Sequence, residues 1–391
     1  MNKKKNLIIS VLLLLIMIQI IKDPSKSILS AGEGLNLWFN ILVPSLFPFI
    51  FISDLLVSFG LLDYTAKYLE PIMRPVFNVS GVGIFPFSMS MLSGYPVGAR
   101  LTSKLRTQKM ISRDEGNRLI SFSSTSGPLF ILGAVLIGMV NAPELSLLMI
   151  VPHYIGALTI GFIFRFYRKN NKSCVSSDLS SKANLFNKDK SEPIGTTISK
   201  SLSDSLDSII VVGGFVVIYS VIIDIVISSS LFNLIIGELS RILSIDENIL
   251  KGITAGIIEL TKGCSIISKL DIALITKIML LNFTIGWAGF SIHSQAISFI
   301  SKTDISSKIY LISKFFHGLF SVLYTYIMYL SFYKGKIEPA FNPIPFVETS
   351  NLKSWLYLIT SSTKLVCSLF VFLTLLGIFV FQLRKEFSRS L

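Results

Sequence analysis

Apolar runs long enough for a bilayer alternate with short polar or basic stretches along most of this chain. A crossing helix needs about 20 predominantly apolar residues. Runs of that order read at 7–21, 35–59, 119–140, 145–166, 206–227, 273–300, 309–330 and 355–383, which predicts eight crossings. The first follows Lys3, Lys4 and Lys5 like a secretory signal, but no small-x-small pattern closes it, so a retained helix is expected. Residues 79–99 are also long enough to cross, yet they carry Gly81, Gly83, Pro86, Gly94, Pro96 and Gly98. Each Gly costs a helix interior about 1 kcal/mol and each Pro about 3. A broken helix or re-entrant hairpin is the better reading, with a counterpart at 249–270. Irregular backbone at membrane depth persists only where it is buried in protein or lines a cavity.

Charge orients these segments. The net charge is +13, with 51% hydrophobic and 15% charged residues, a balance far from that of soluble domains. The basic residues cluster in loops, as the positive-inside rule requires, and not on an aromatic-studded face, so no nucleic-acid partner is expected. With Lys3–Lys5 in the cytoplasm, the clusters around Arg74, Arg100 to Arg118, Arg165 to Lys169, Lys302 and Lys308, and Arg384 to Arg389 all fall inside. The stretches 22–34, 141–144, 228–248 and 334–354 fall outside, as loops. Arg74 and Arg100 thus share a side, and residues 79–99 enter and leave there. Residues 168–204 are Ser-, Asn- and Lys-rich and read as a cytoplasmic linker. The organisation is therefore 1–34, N-terminal helix and link; 35–167, first repeat; 168–204, linker; 205–333, second repeat; 334–391, external loop and last helix.

Cys174, Cys264 and Cys367 stand alone, as do His153, His293 and His317, and the chain has no Walker A loop, dinucleotide fingerprint, HExxH or GxSxG. Neither an enzyme nor a metal or organic cofactor is expected; a coupling proton or sodium ion remains open.

The two halves match weakly. Residues 44–56 align with 214–226, placing Asp54 opposite Asp224; "SGYPVGARLTSKL" aligns with "ELTKGCSIISKL", pairing Gly98 with Gly263; residues 119–133 align with 280–295, pairing Gly127 with Gly289. Three crossings and a hairpin per half turn the second copy upside down, so two inverted-topology repeats are expected in an all-α polytopic membrane protein of about eight crossings and two hairpins.

"SGYPVGARLTSKL", "SFSSTSGPLFILGAVLIGM", "GIIELTKG" and "GFSIHSQ" together resemble the YlbJ-type sporulation integral membrane proteins. The resemblance implies a duplicated nucleoside-recognition gate domain, distantly similar to concentrative nucleoside transporters. It also implies transport of dipicolinic acid from the mother cell across the outer forespore membrane. The alternatives are a nucleoside or other metabolite carrier, and a non-transporting scaffold of a sporulation complex.

Broken helices expose termini whose free N–H groups and partial positive charge favour a carboxylate. The first-half candidates for a small anionic substrate are Ser93, Gly94, Tyr95, Pro96, Gly98, Ser124, Thr125, Ser126 and Gly127. In the second half they are Glu259, Thr261, Lys262, Gly263, Asn282, Ser291, His293 and Gln295. Several keep two readings. The hydroxyls either bind substrate or bond helix carbonyls; Tyr95 stacks on a ring or packs. Glu259 and Lys262 pair with each other, or Lys262 takes the substrate while Glu259 carries a proton, or Lys262 snorkels outward. His293 relays a proton or is structural. Expected partners are the bilayer, the small anion, and either a homo-oligomer or other sporulation membrane proteins.

Overall fold

The computed structural model describes residues 3–59, 61–168 and 193–333. Among these residues every regular element is a helix, and there are no strands. Four helical stretches are long and apolar enough to cross a membrane: Pro143–Phe164, Ile194–Ser228, Leu274–Ile300 and Ser307–Tyr333. A fifth candidate is Tyr68–Phe77 with Gly81–Ser93, bent by 85°. Leu13–Lys22, Leu46–Ser58 and Leu129–Val140 are shorter apolar helices. The expected last crossing and most of the expected linker lie outside the described residues.

Two stretches expected as outside loops are helical. Helix α1 (Lys3–Lys22) is followed directly by α2 (Pro24–Leu37), started by an Asp23 cap on Lys26 and by proline in the first turn. A wide turn at Trp38–Leu42 then joins α3 (Val43–Ser58). In the second half α9 (Ile194–Ser228) leads into α10 (Ser230–Leu243), capped by the Ser229 hydroxyl on Phe232. The hydropathy pattern missed both because their polar residues share one face of an amphipathic helix, which a run-length count reads as a loop.

Between these come α4 (Leu61–Phe77), α5 (Ile84–Ser93), α6 (Val97–Thr107), α7 (Arg113–Phe122), the wide helix Leu129–Val140 and α8 (Ser146–Phe164). The second half adds α11 (Glu247–Ile258), α12 (Leu260–Ser268), α13 (Leu274–Trp287), α14 (Gly289–Ile300) and α15 (Ser307–Met328). Helix α7 starts in a capping box in which Ser112 and Glu115 satisfy each other's backbone donors. Buried Glu115 also takes Arg74 at 2.7 Å and the Ser80 N–H at 3.1 Å, tying α4 to α7.

The apolar core runs through Met73, Phe87, Leu101, Leu119, Ile131 and Ile285, and Phe77 stacks on Phe122 at 4.6 Å. Leu14, Ile28, Phe162, Ile218 and Phe316 point outward, the surface a lipid environment calls for. Helix α9 closes the bundle against the first half. Trp38 lies over Gly213, where a Cβ would come within 2.5 Å of the indole, and its ring N–H donates to the Ile209 carbonyl at 2.9 Å.

Candidate functional site

Two places in the bundle combine broken helices. At the first, α5 ends at Gly94, whose φ of +87° is a left-handed value that L side chains rarely adopt, and α6 begins after Pro96. Beside it, α7 stops at Phe122, and residues 123–127 run without helix before the chain turns helical again at Pro128. The two breaks cross in contact. A Cβ on Gly94 would sit 2.8 Å from the Gly127 nitrogen, and one on Gly98 would lie 1.6 Å from the Ser123 carbonyl oxygen. Ser90 ties them further, accepting the Thr125 N–H at 2.8 Å, with the Thr125 hydroxyl 3.2 Å away. The Ser93 hydroxyl turns back on the Met89 carbonyl at 2.6 Å.

The second place repeats the plan. Helices α11 and α12 meet at Glu259 in extended conformation, while α13 and α14 meet at Ala288 and Gly289, both with positive φ. Gly263 lies against Gly256, where a Cβ would be 2.1 Å from Cα, and Gly289 against the Gly256 carbonyl and the Leu260 nitrogen. The Glu259 carboxylate accepts from the N–H groups of Thr261 at 3.0 Å and Lys262 at 2.6 Å. The Lys262 ammonium reaches Asp224 on α9 at 3.0 Å. Glu259 is therefore a helix cap, and the ion pair of Lys262 runs to Asp224 instead of Glu259.

Above the first crossing stands a group that the sequence reading passed over. Lys314, on α15, is fully buried. Its ammonium lies 2.8 Å from the Tyr95 hydroxyl, 2.9 Å from the Ser124 carbonyl oxygen and 2.8 Å from His317 Nδ1, with the Tyr95 ring face 4.8 Å away. Among the described residues no carboxylate pairs with it. His317 Nε2 faces the His153 carbonyl at 2.8 Å, and His153 Nε2 accepts the Ser126 N–H at 3.0 Å. Tyr154 donates to the carbonyls of Met91 and Ser126, fixing both breaks to α8. Tyr95 donates to the Ile285 carbonyl at 3.0 Å, joining this crossing to α13.

The candidates thus divide. Tyr95 and the Ser124 carbonyl touch Lys314; Gly94, Pro96, Gly98, Thr125, Ser126 and Gly127 belong to the same crossing, and Ser93 ends α5 next to it. Glu259, Thr261, Lys262 and Gly263 belong to the second crossing and make no hydrogen bond to the Lys314 cluster. His293 approaches through Tyr310, whose hydroxyl lies 3.2 Å from Nδ1. Asn282 is spent on Leu148 and Thr325. Ser291 and Gln295 are buried on α14. His153 Nδ1, His293 Nε2, the Asn282 side-chain oxygen and the Gln295 amide nitrogen are buried without a hydrogen-bond partner among the described residues.

The sequence did hold the signal for Lys314. Tyr310, Lys314, His317, Ser321 and Thr325 recur every three or four residues within an otherwise apolar crossing, which places one polar stripe on one helix face.

Two comparisons with known proteins find a match. Residues 39–167 match the Gate family, described as nucleoside recognition. Over 352 residues, 87% of this chain and 86% of the other, the sequence is 29% identical to the sporulation integral membrane protein YlbJ of Bacillus subtilis (strain 168). Over that length this chain is similar to the YlbJ-type proteins. No solved structure matches it. The Gate match contains the whole first crossing together with His153 and Tyr154, whereas Lys314 and His317 lie beyond it.

That same Gate region holds a buried ion network under the α6 arm. Asp54 of α3, fully buried, takes both terminal nitrogens of Arg100 and, at 2.9 Å, the Lys104 ammonium. Arg100 Nε continues to Ser208 of α9 at 2.7 Å. Asp54 and Asp224 each pair with basic side chains of a broken-helix segment, Asp54 with Arg100 and Lys104 in the interior and Asp224 with Lys262 near the surface.

Proposed function

We propose that this protein is a membrane transporter of a small anionic metabolite, acting without covalent chemistry, with dipicolinate as the first candidate substrate. The supporting observation is Lys314. A buried ammonium costs several kcal/mol unless an anion compensates it. Its present contacts are a phenol, a carbonyl and an imidazole, all neutral acceptors. A bound carboxylate would supply the missing charge. The N-terminus of α6, which has no side-chain cap, adds a favourable dipole beside Tyr95.

In this reading the two crossings are the centres of two inverted-topology repeats within about eight crossings, a scaffold distantly like concentrative nucleoside transporters. Movement of one repeat against the other exposes the site alternately. The similarity to a sporulation membrane protein supports a place in the membrane around the developing spore, moving dipicolinate inward from the mother cell. A nucleoside carrier is the second reading, favoured by the description of the Gate family.

Uptake of labelled dipicolinate and of labelled nucleosides into vesicles carrying the protein separates the two. Dipicolinate uptake should fall about 100-fold in Lys314→Met, the loss expected for removing one partner of a buried charge pair. Nucleoside uptake alone, indifferent to Lys314, would refute the anion assignment. Spores of a strain lacking the protein should be depleted of dipicolinate.

A further inference from the structure

Resting on the anion-transport reading above, we propose that His317 takes up the coupling proton, and that Lys314 controls this by competing for Nδ1 of its ring. With Lys314 as the cation, its hydrogen-bond partners fix the remaining protons of the cluster. Tyr95 spends its O–H on the Ile285 carbonyl, so its oxygen accepts from Lys314. The His153 carbonyl can only accept, so His317 Nε2 carries a hydrogen, and Nδ1 offers a lone pair to Lys314. The Ser124 carbonyl is the third acceptor. All the N–H groups of one ammonium are thereby committed.

An incoming carboxylate must therefore displace an acceptor from Lys314. A carbonyl or a phenol oxygen left behind cannot recover its lost bond by taking a proton near neutral pH, but an imidazole can. When Lys314 turns to the carboxylate, the bare Nδ1 accepts one proton from water on the entry side, forming an imidazolium whose new N–H points to the space the ammonium left. Two positive groups then face a dianion, and the site approaches neutrality. On release of the anion, the returning ammonium and the imidazolium cannot share Nδ1, and the proton departs to water with the substrate.

The surroundings suit this exchange. Helix α8 presents His153 and Tyr154 to the pair, the ring of His153 lying 4.6 Å from that of His317. Elsewhere along α15, His293 of α14 meets Tyr310 and Asn282 of α13 donates to Thr325. On α7, Glu115 is engaged by Arg74, and Arg118 donates to the Tyr167 carbonyl. No carboxylate among the described residues touches the cluster, so no internal carboxyl group supplies the proton that His317 takes up once the Lys314 ammonium has turned away.

Calorimetric titration of the full-length protein with dipicolinate, in buffers of different ionisation enthalpy, counts protons taken up on binding. Wild type at pH 7.5 should take up about one per anion. His317→Asn, whose amide oxygen can still receive Lys314 but holds no proton, should bind with uptake near zero. Binding without proton uptake by wild type, or unchanged uptake by the variant, overturns the proposal and leaves the transport reading standing. Absence of binding by wild type overturns both. If His317→Asn fails to fold, the wild-type count decides alone.

Discussion

The two crossings of broken helices share a plan and differ in what fills their centre. At the second, the N-terminus of α12 is occupied by the protein's own carboxylate, Glu259, which takes two backbone N–H groups. At the first, the N-terminus of α6 has no side-chain cap, and a buried ammonium stands close by without a carboxylate partner. One crossing carries its own carboxylate, and the other, among the described residues, carries none. The same asymmetry appears in their supporting ion pairs, since Asp54 is enclosed with Arg100 while Asp224 and Lys262 are 19% and 40% exposed. The two crossings use the same backbone plan, and among the described residues only the second supplies its own carboxylate.

This contrast can be broken most severely at the glycine contacts. Gly98→Leu would drive a side chain into the Ser123 carbonyl, with nearby backbone unable to yield. The overpacking cost should reach about 3 kcal/mol or more, read as loss of a monodisperse peak and a large fall in melting temperature. Asp54→Asn comes next. It strands Arg100 and Lys104, and should cost about 3–5 kcal/mol. The matching Asp224→Asn should cost under about 1 kcal/mol, because solvent screens Lys262. Equal losses in the two variants, measured by thermal unfolding in detergent, would erase the distinction between the halves.

Glu259→Ala removes a cap and should destabilise by about 0.5–2 kcal/mol, while leaving the affinity for dipicolinate unchanged if the second crossing is structural. A parallel loss of affinity would move Glu259 into the binding site. The smallest effect is expected at Asp304, whose carboxyl is held below its usual range by the hydrogen bond from Arg106. A depressed folded value stabilises above the unfolded value of about 3.9, and that stabilisation disappears as pH falls through the folded one. Asp304→Asn should therefore lower the melting point by only a degree or two near neutrality, about 1 kcal/mol or less. It should converge with wild type in strong acid.

The breaks were legible because glycine and proline announce them: Gly94, Pro96, Gly98, Gly127 and Gly289 all fall where the helices stop or cross. What crosses what was less legible. Nothing in residues 93–105 reveals that Gly98 rests on Ser123, because that contact is a matter of backbone approach. Lys314 escaped attention for a different reason. A hydropathy window averages one lysine into its apolar neighbours, and the residue lies far in sequence from the motif it serves. The Glu259–Lys262 spacing suggested a pair on one helix face, but Glu259 is extended backbone outside the helix, so the helical register did not apply.

Helix α9 reaches the first half through Trp38 on Gly213 and through Ser208 on Arg100. Covalent continuity between residues 168 and 193 is then dispensable for holding the halves together. Co-expressed as two separate polypeptides divided in that interval, the pieces should reassemble and be recovered together by an affinity tag on either one.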